Sequence, residues 1–173
     1  MGYEQNPIVN FVIMLLIIIG GIGFLTWNDL YRHRLRVRRY QLQSKVILLM
    51  TAILIFLPAL FFFFVDFADM PLHERVLAAL FQAVTPRTAG FNTVDLTCMT
   101  DVSKGLITGL MLIGGAPGST AGGMKVTTLA VLLTSAAATF GRREETHAFE
   151  RRIENEVIRN AAAILLLYLG LSF

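Results

Sequence analysis

Between Gly105 and Gly141 the chain runs for 37 residues with a single charge, Lys125. In the middle of that run stand Gly114, Gly115, Ala116, Pro117, Gly118, Ser119, Thr120, Ala121, Gly122 and Gly123. As one straight helix the run would reach about 55 Å at about 1.5 Å per residue, whereas a bilayer core is about 30 Å thick. The glycines and the proline at its centre are poor helix formers, so the helix is expected to break there. Broken backbone at membrane depth frees N–H and C=O groups that lipid cannot bond, and it survives only against protein or beside a water-filled path. The feature points to movement of a polar solute across a membrane.

The rest of the chain is patterned to match. Gln5 to Asn28 and Val46 to Val65 carry no charge, and each run reaches the roughly 20 residues that a spanning helix needs. Only 16% of residues are charged, against about a quarter in soluble domains. The first run lacks the basic start of a signal peptide, carries Glu4 instead and is too long for one. A lone cysteine, Cys98, excludes an internal disulfide. Arg32, Arg34, Arg36, Arg38, Arg39 and Lys45 follow the first span, and Arg142, Arg143, Arg151 and Arg152 follow the broken one. Short basic loops stay in the cytoplasm, so two crossings separate them and the stretch 66–104 is expected outside. Between two spans, such arginines report orientation and not nucleic acid.

Within the external stretch, Val76, Leu77, Leu80, Phe81 and Val84 recur at helical spacing, and Leu72 to Thr85 reads as a helix too short to span. Pro86 ends it. Arg87, Thr88, Ala89, Gly90, Phe91, Asn92 and Thr93 follow. A short helix, small residues, a central glycine and an aromatic are laid out like a potassium-type filter, where carbonyl oxygens replace the ion's water shell. The negative helix C-terminus would point at the cation. An ordinary external loop has the same local pattern.

Pro86 to Thr93 followed by Gly114 to Lys125, in that order and spacing, resemble the Trk/Ktr/HKT superfamily of potassium transporters, most of all the bacterial Ktr and Trk membrane subunits. The resemblance extends over nearly the whole chain and implies an all-α membrane fold of four repeats, each a helix, a pore helix, a filter loop and a helix, around one pore. Residues 1–43 would be the last transmembrane helix of repeat two, at 7–28, with a basic cytoplasmic loop. Residues 44–156 would be all of repeat three with its following loop, and 157–173 the truncated first helix of repeat four. The chain would thus be an internal piece of a longer transporter, holding one filter strand of four.

By the same resemblance, Thr88, Ala89, Gly90, Phe91 and Asn92 would be a filter strand, with the carbonyls of Thr88, Ala89, Gly90 and Phe91 on the ion. Gly114 to Gly123, with Lys125, would be an intramembrane gating loop beneath it. Potassium would be the transported ion, with sodium the alternative, and no cofactor is bound covalently. Thr-Ala-Gly-Phe-Asn departs from the channel pattern Thr-Val-Gly-Tyr-Gly, which implies looser selectivity. The whole transporter would be a multi-pass protein of the cell membrane and a homodimer, seated on a cytosolic ring of nucleotide-binding regulatory subunits. Loops 29–45 and 141–156 would be docking surfaces, and coupling to Na⁺ or H⁺ stays open.

Single residues carry narrower expectations. Lys125 either snorkels or pairs structurally, or its ammonium holds the loop or repels cations in a closed state. Ser119 and Thr120 bond freed backbone or cap a helix half starting near Thr120. Arg87 is expected to pair with Asp95 or another acid. His73 and Glu74 open the pore helix and suit its dipole, not a metal; His33 and His147 are lone loop histidines. Phe61 to Phe64 reads as lipid contact, Trp27 as an interfacial anchor, and Gly20, Gly21 and Gly23 as sites of close helix packing. Met124 and Val126 around Lys125 break the phosphate-loop pattern, and no catalytic set argues for an enzyme. A non-transporting membrane subunit is the alternative, although a pure anchor has no use for a broken helix.

Overall fold

The computed structural model describes residues 6–34, 39–91, 94, 96–141, 147–148, 151–152 and 155–172. Asn92, Asp95, Arg36, Arg38, Arg142 and Arg143 lie outside the described residues, and with them the last filter position and the expected acid for Arg87.

Helix α1 spans Pro7–Ile22. The Asn6 side chain accepts from the backbone N–H of Ile8 at 3.0 Å and Val9 at 3.4 Å, and Pro7 sits where its missing N–H costs nothing. The helix does not run on to residue 28 as the uninterrupted apolar pattern suggests. It stops at Gly23, whose φ of 84° ends the regular hydrogen bonding, and α2 (Phe24–His33) leaves at 93°.

Helix α3 (Leu42–Val65) is, alone among the described helices, long and apolar enough to cross a membrane unaided. Helix α4 (Leu72–Val84) is the expected short helix. The long apolar run does break: α5 covers Asp101–Leu112 and α6 covers Val126–Phe140. Their 12 and 15 residues reach only about 18 and 22 Å, so neither half crosses a bilayer alone. A two-residue antiparallel pair (β1, His147–Ala148, with β2, Arg151–Arg152) leads to α7, Asn155–Ser172.

Three apolar clusters fix this arrangement. Ala59 and Phe62 of α3 meet Ala79 and Ala83 of α4 and Ile107 of α5 at the outer end. Met50 and Leu54 of α3 meet Leu110 of α5 and Val126 and Ala130 of α6. Both halves of the broken span therefore use α3 as a common post. Met14 of α1 joins Ile55, Phe81 and Val84, so α4 is wedged between α1 and α3.

Polar clasps set the outer end. Asp66, just past α3, accepts from Thr100 N–H at 3.0 Å and from the Ser103 hydroxyl, tying α3 to the start of α5. Arg75 of α4 donates from Nε to the Phe63 carbonyl at 2.7 Å, and its guanidinium sits 4.0 Å over the Phe63 ring. A cation on the last carbonyls of a helix is favoured twice over, by hydrogen bonding and by the dipole. This corrects the reading of Phe61 to Phe64 as lipid contact. Successive helical residues turn by about 100°, so four in a row cannot share one face. Phe62 is fully buried, Phe63 carries Arg75, and of the four only Phe64 is largely exposed.

Candidate functional site

The turn after α4 is built around one residue, Thr85, which is 3% exposed. Its carbonyl accepts two N–H groups, from Ala89 at 3.2 Å and Gly90 at 3.1 Å. Its hydroxyl donates to the Phe91 carbonyl. Thr88 N–H donates to the Pro86 carbonyl at 2.7 Å. Thr88 and Gly90 take positive φ, 67° and 72°, a left-handed conformation that glycine enters freely and threonine at a cost. The N–H groups of 88–90 thus turn toward the end of α4. The carbonyls of Thr88, Ala89 and Gly90 accept no hydrogen bond among the described residues. Thr88 and Gly90 are exposed and Ala89 is half-buried, and an oxygen without a protein donor is available to a cation that has shed its water. The Phe91 carbonyl differs, since Thr85 already holds it.

Arg87, within this turn, is 7% exposed, and its Nε has no partner among the described residues. Thr85 carries no sequence signal beyond its place before Pro86, which is why the filter-like string alone does not single it out.

The stretch between α5 and α6 closes on itself. Gly114 N–H donates to Met124 O at 2.9 Å, Met124 N–H to Leu112 O at 3.0 Å, and Val126 N–H to Gly115 O at 3.1 Å. Ile113 and Met124 form a parallel bridge. Freed backbone groups at this neck therefore pair with each other, as the membrane requires. The neck demands glycine: a Cβ on Gly114 would lie 1.5 Å from Gly122 O. Lys125 Nζ donates to Ala121 O at 2.8 Å, bracing the loop from within. This contact gives Lys125 a backbone partner inside the loop.

Helix α6 starts at Val126, not near Thr120, so Ser119 and Thr120 do not cap it. Ser119 Oγ accepts from Ala121 N–H at 3.4 Å inside the loop, and Thr120 faces α1. The neck is the physical reason, because it holds the backbone extended up to Lys125, whose φ and ψ are −69° and 143°.

The loop tip meets the end of α1. Ala116 N–H donates to Gly21 O at 2.8 Å, Thr120 N–H to Gly20 O at 3.4 Å, and Phe24 N–H to Gly118 O at 3.2 Å. Gly20 and Gly23 permit a close approach, but the neighbour is the loop and not a helix, while a Cβ on Gly21 would meet nothing within 4 Å. Met14, which joins the cluster under the end of α4, and Gly20, at the loop, lie six residues apart on α1, about 9 Å along its axis. The filter-like turn and the loop are stacked beside the same helix.

At the other end of α2, Asp29 is 4% exposed. It accepts from Gln41 N–H at 2.8 Å, and the His33 ring Nδ1 lies 2.9 Å from its other oxygen. Burial works to raise its pKa, but hydrogen bonds from Ser44, Gln41 and His33, together with the His33 charge, outweigh it and hold the carboxyl below its ordinary range. Trp27 is no free anchor: its indole N–H donates to Ile19 O at 3.0 Å, across the bend.

The family model described as TrkH, cation transport protein, matches residues 1–173. The chain is 36% identical over 179 residues to the Ktr system potassium uptake protein B of Bacillus subtilis, covering all of this chain and 40% of that protein. It is also 36% identical over 173 residues to the potassium/sodium uptake protein NtpJ of Enterococcus hirae, covering 97% of this chain and 38% of that one. Among solved structures, the crystal structure of the potassium transporter TrkH from Vibrio parahaemolyticus matches 95% of this chain and 36% of its own, with a TM-score of 0.73 at 21% identity. The last match shows a shared fold, the helical membrane architecture expected from the sequence. The chain spans about two fifths of the length of the two relatives it matches.

Proposed function

Since this chain belongs to the TrkH family of cation transport proteins, we propose that it contributes one filter strand and one gate to a potassium uptake pathway. It is a multi-pass cell-membrane chain of a transporter family and not an enzyme. The observation that carries the proposal is the trio of carbonyls at Thr88, Ala89 and Gly90, which accept no hydrogen bond among the described residues. Their N–H groups are committed to Thr85 and Pro86, which leaves the oxygens as the side of the turn without a partner among the described residues. A cation leaving water there regains oxygen ligands. Phe91 contributes through the lone pair that Thr85 leaves free, and Asn92, outside the described residues, is the fifth position of the proposed strand.

The loop 114–123 serves as the gate beneath that turn. It is hydrogen-bonded at its neck and lies against α1 by a few contacts at its tip, so the tip can move while the neck stays shut. Potassium is the favoured ion and sodium the competitor. The names of the relatives, a potassium uptake protein and a potassium/sodium uptake protein, support both. The basic composition of segments 29–45 and 141–156 suits docking to a cytosolic nucleotide-binding ring, and the complete transporter pairs as a homodimer. A non-transporting subunit would have no use for a loop whose backbone is paired so carefully at membrane depth.

Gly90→Ser in the complete transporter tests the filter. The site has open space around the added Cβ, but its φ of 72° is wrong for a side chain, so the carbonyls should shift and K⁺ over Na⁺ selectivity should fall. Unchanged selectivity in uptake assays removes Gly90 from the filter. Deleting residues 116–121 tests the gate: K⁺ flux should rise, and a flat or reduced flux in well-folded protein argues against gating.

A further inference from the structure

We infer that the kink at Gly23 is the seat of the intramembrane loop, so that the angle of α2 fixes whether the loop lies in the pathway. The inference builds on the gate reading above and names the residues that position the gate.

Both sides of the contact are shaped for it. A Cβ on Gly23 would stand 2.7 Å from Pro117 O and 3.2 Å from Ala116 Cβ. A Cβ on Gly115 would stand 2.8 Å from Gly21 O. Only bare backbone on each side allows the loop tip to reach α1. The bonds are distributed across the kink: Gly20 and Gly21 accept from the loop before it, and Phe24 donates to the loop after it. The first free N–H of α2 is thus satisfied by Gly118 O, and the loop carbonyl is satisfied by α2.

This arrangement makes α2 a lever. One end is bonded to the loop through Phe24. The other is held to the start of α3 by Asp29, through Gln41 and Ser44. Its length is 10 residues, about 15 Å. Tyr31, 87% exposed, lies on the open face of the lever. Straightening or rotating α2 about Gly23 cannot preserve the bond to Gly118 and the bonds to Gly20 and Gly21 together. The loop therefore has different contacts in the two positions of α2, which is the requirement for coupling between them.

The test uses the complete transporter in liposomes with Rb⁺ influx as the readout. Gly23→Ala puts a methyl carbon 2.7 Å from Pro117 O, closer than a Cβ contact allows. Basal influx should rise about threefold or more, within the range expected for changes along a coupled network, while the K⁺/Na⁺ ratio stays constant. Unchanged influx in monodisperse protein overturns the seat. A second variant guards against simple misfolding: Phe24→Cys with Gly118→Cys, in a Cys98→Ser background. Oxidation should cross-link the pair and suppress influx, and reductant should restore it. A cross-link that forms without lowering influx, or a pair that never cross-links, also overturns the seat. The 116–121 deletion separates the two ideas. If it raises influx while the seat variants do nothing, the seat alone is wrong; if it too does nothing, the gate reading is wrong.

Discussion

The two irregular segments solve the same problem in opposite ways. The turn at 85–91 is closed by its own neighbours: the farthest bond, Thr85 to Phe91, joins residues six apart. The loop at 113–125 has a local neck, but its tip is held by residues such as Gly20, 100 positions from Thr120. By loop-closure scaling, bringing ends together over 100 residues costs about 2–3 kcal/mol more than over six, before other contacts share it. A self-closed turn is stiff and suits a fixed ring of ligands. A tip held at a distance is released when its far partner moves, which suits a gate. On the proposed reading, this difference in closure would match a division between filter and gate.

That contrast can be broken at several points. The largest effect is expected at the neck. Gly114→Ala places a methyl group within 1.5 Å of Gly122 O, and overpacking of this kind costs about 3 kcal/mol. Heat stability of the detergent-solubilised transporter should drop sharply. A mild effect would mean that the neck is not closed as described.

A smaller and more selective effect is expected at the filter turn. Thr85→Val keeps the shape but removes the donor to Phe91 O, a loss of about 1 kcal/mol. K⁺ over Na⁺ discrimination should fall without a rise in flux, and Thr85→Ser should restore it. If Thr85→Val instead raises flux at constant selectivity, the two segments do not divide the work as proposed.

The smallest effect is expected at the far end of α2. Asp29→Asn weakens the clasp to Gln41 and Ser44. The native carboxyl has a lowered pKa, so its contribution is complete above the ordinary carboxylate value near 3.8 and is lost as pH falls through the lower native value. The gap in thermal stability between the native protein and the variant should be constant at neutral pH and close only in acid below that value. A gap that widens on acidification would contradict the sign.

Much of this was legible in the residues, and the limits are physical. The helix 72–84 shows in the spacing of its apolar residues, since one face packs on α3 and the other does not. The break at 114–123 shows because glycine and proline act locally. The kink at Gly23 does not show: glycines such as Gly20, Gly21 and Gly23 inside an apolar run are common in membrane helices, and the cause of the kink, the loop tip, lies about ninety residues away in sequence. The misreading of Phe61 to Phe64 has the same root, because composition reports how apolar a run is but not which way each ring points. Lys125 was visible as a charge at depth, yet its partner is a backbone carbonyl, which no pattern of side chains encodes. Thr85 was hidden for the complementary reason, a small polar residue whose importance is purely geometric.

The central claim is that the oxygens of Thr88, Ala89 and Gly90 are the cation's ligands. A structure of the complete transporter with Rb⁺, whose anomalous scattering marks the ion, tests it directly. The account predicts an Rb⁺ peak in direct contact with these three carbonyls, their N–H groups still turned toward Thr85 and Pro86. An Rb⁺ peak elsewhere along the pathway, with these carbonyls bonded to protein or facing bulk water, would contradict it.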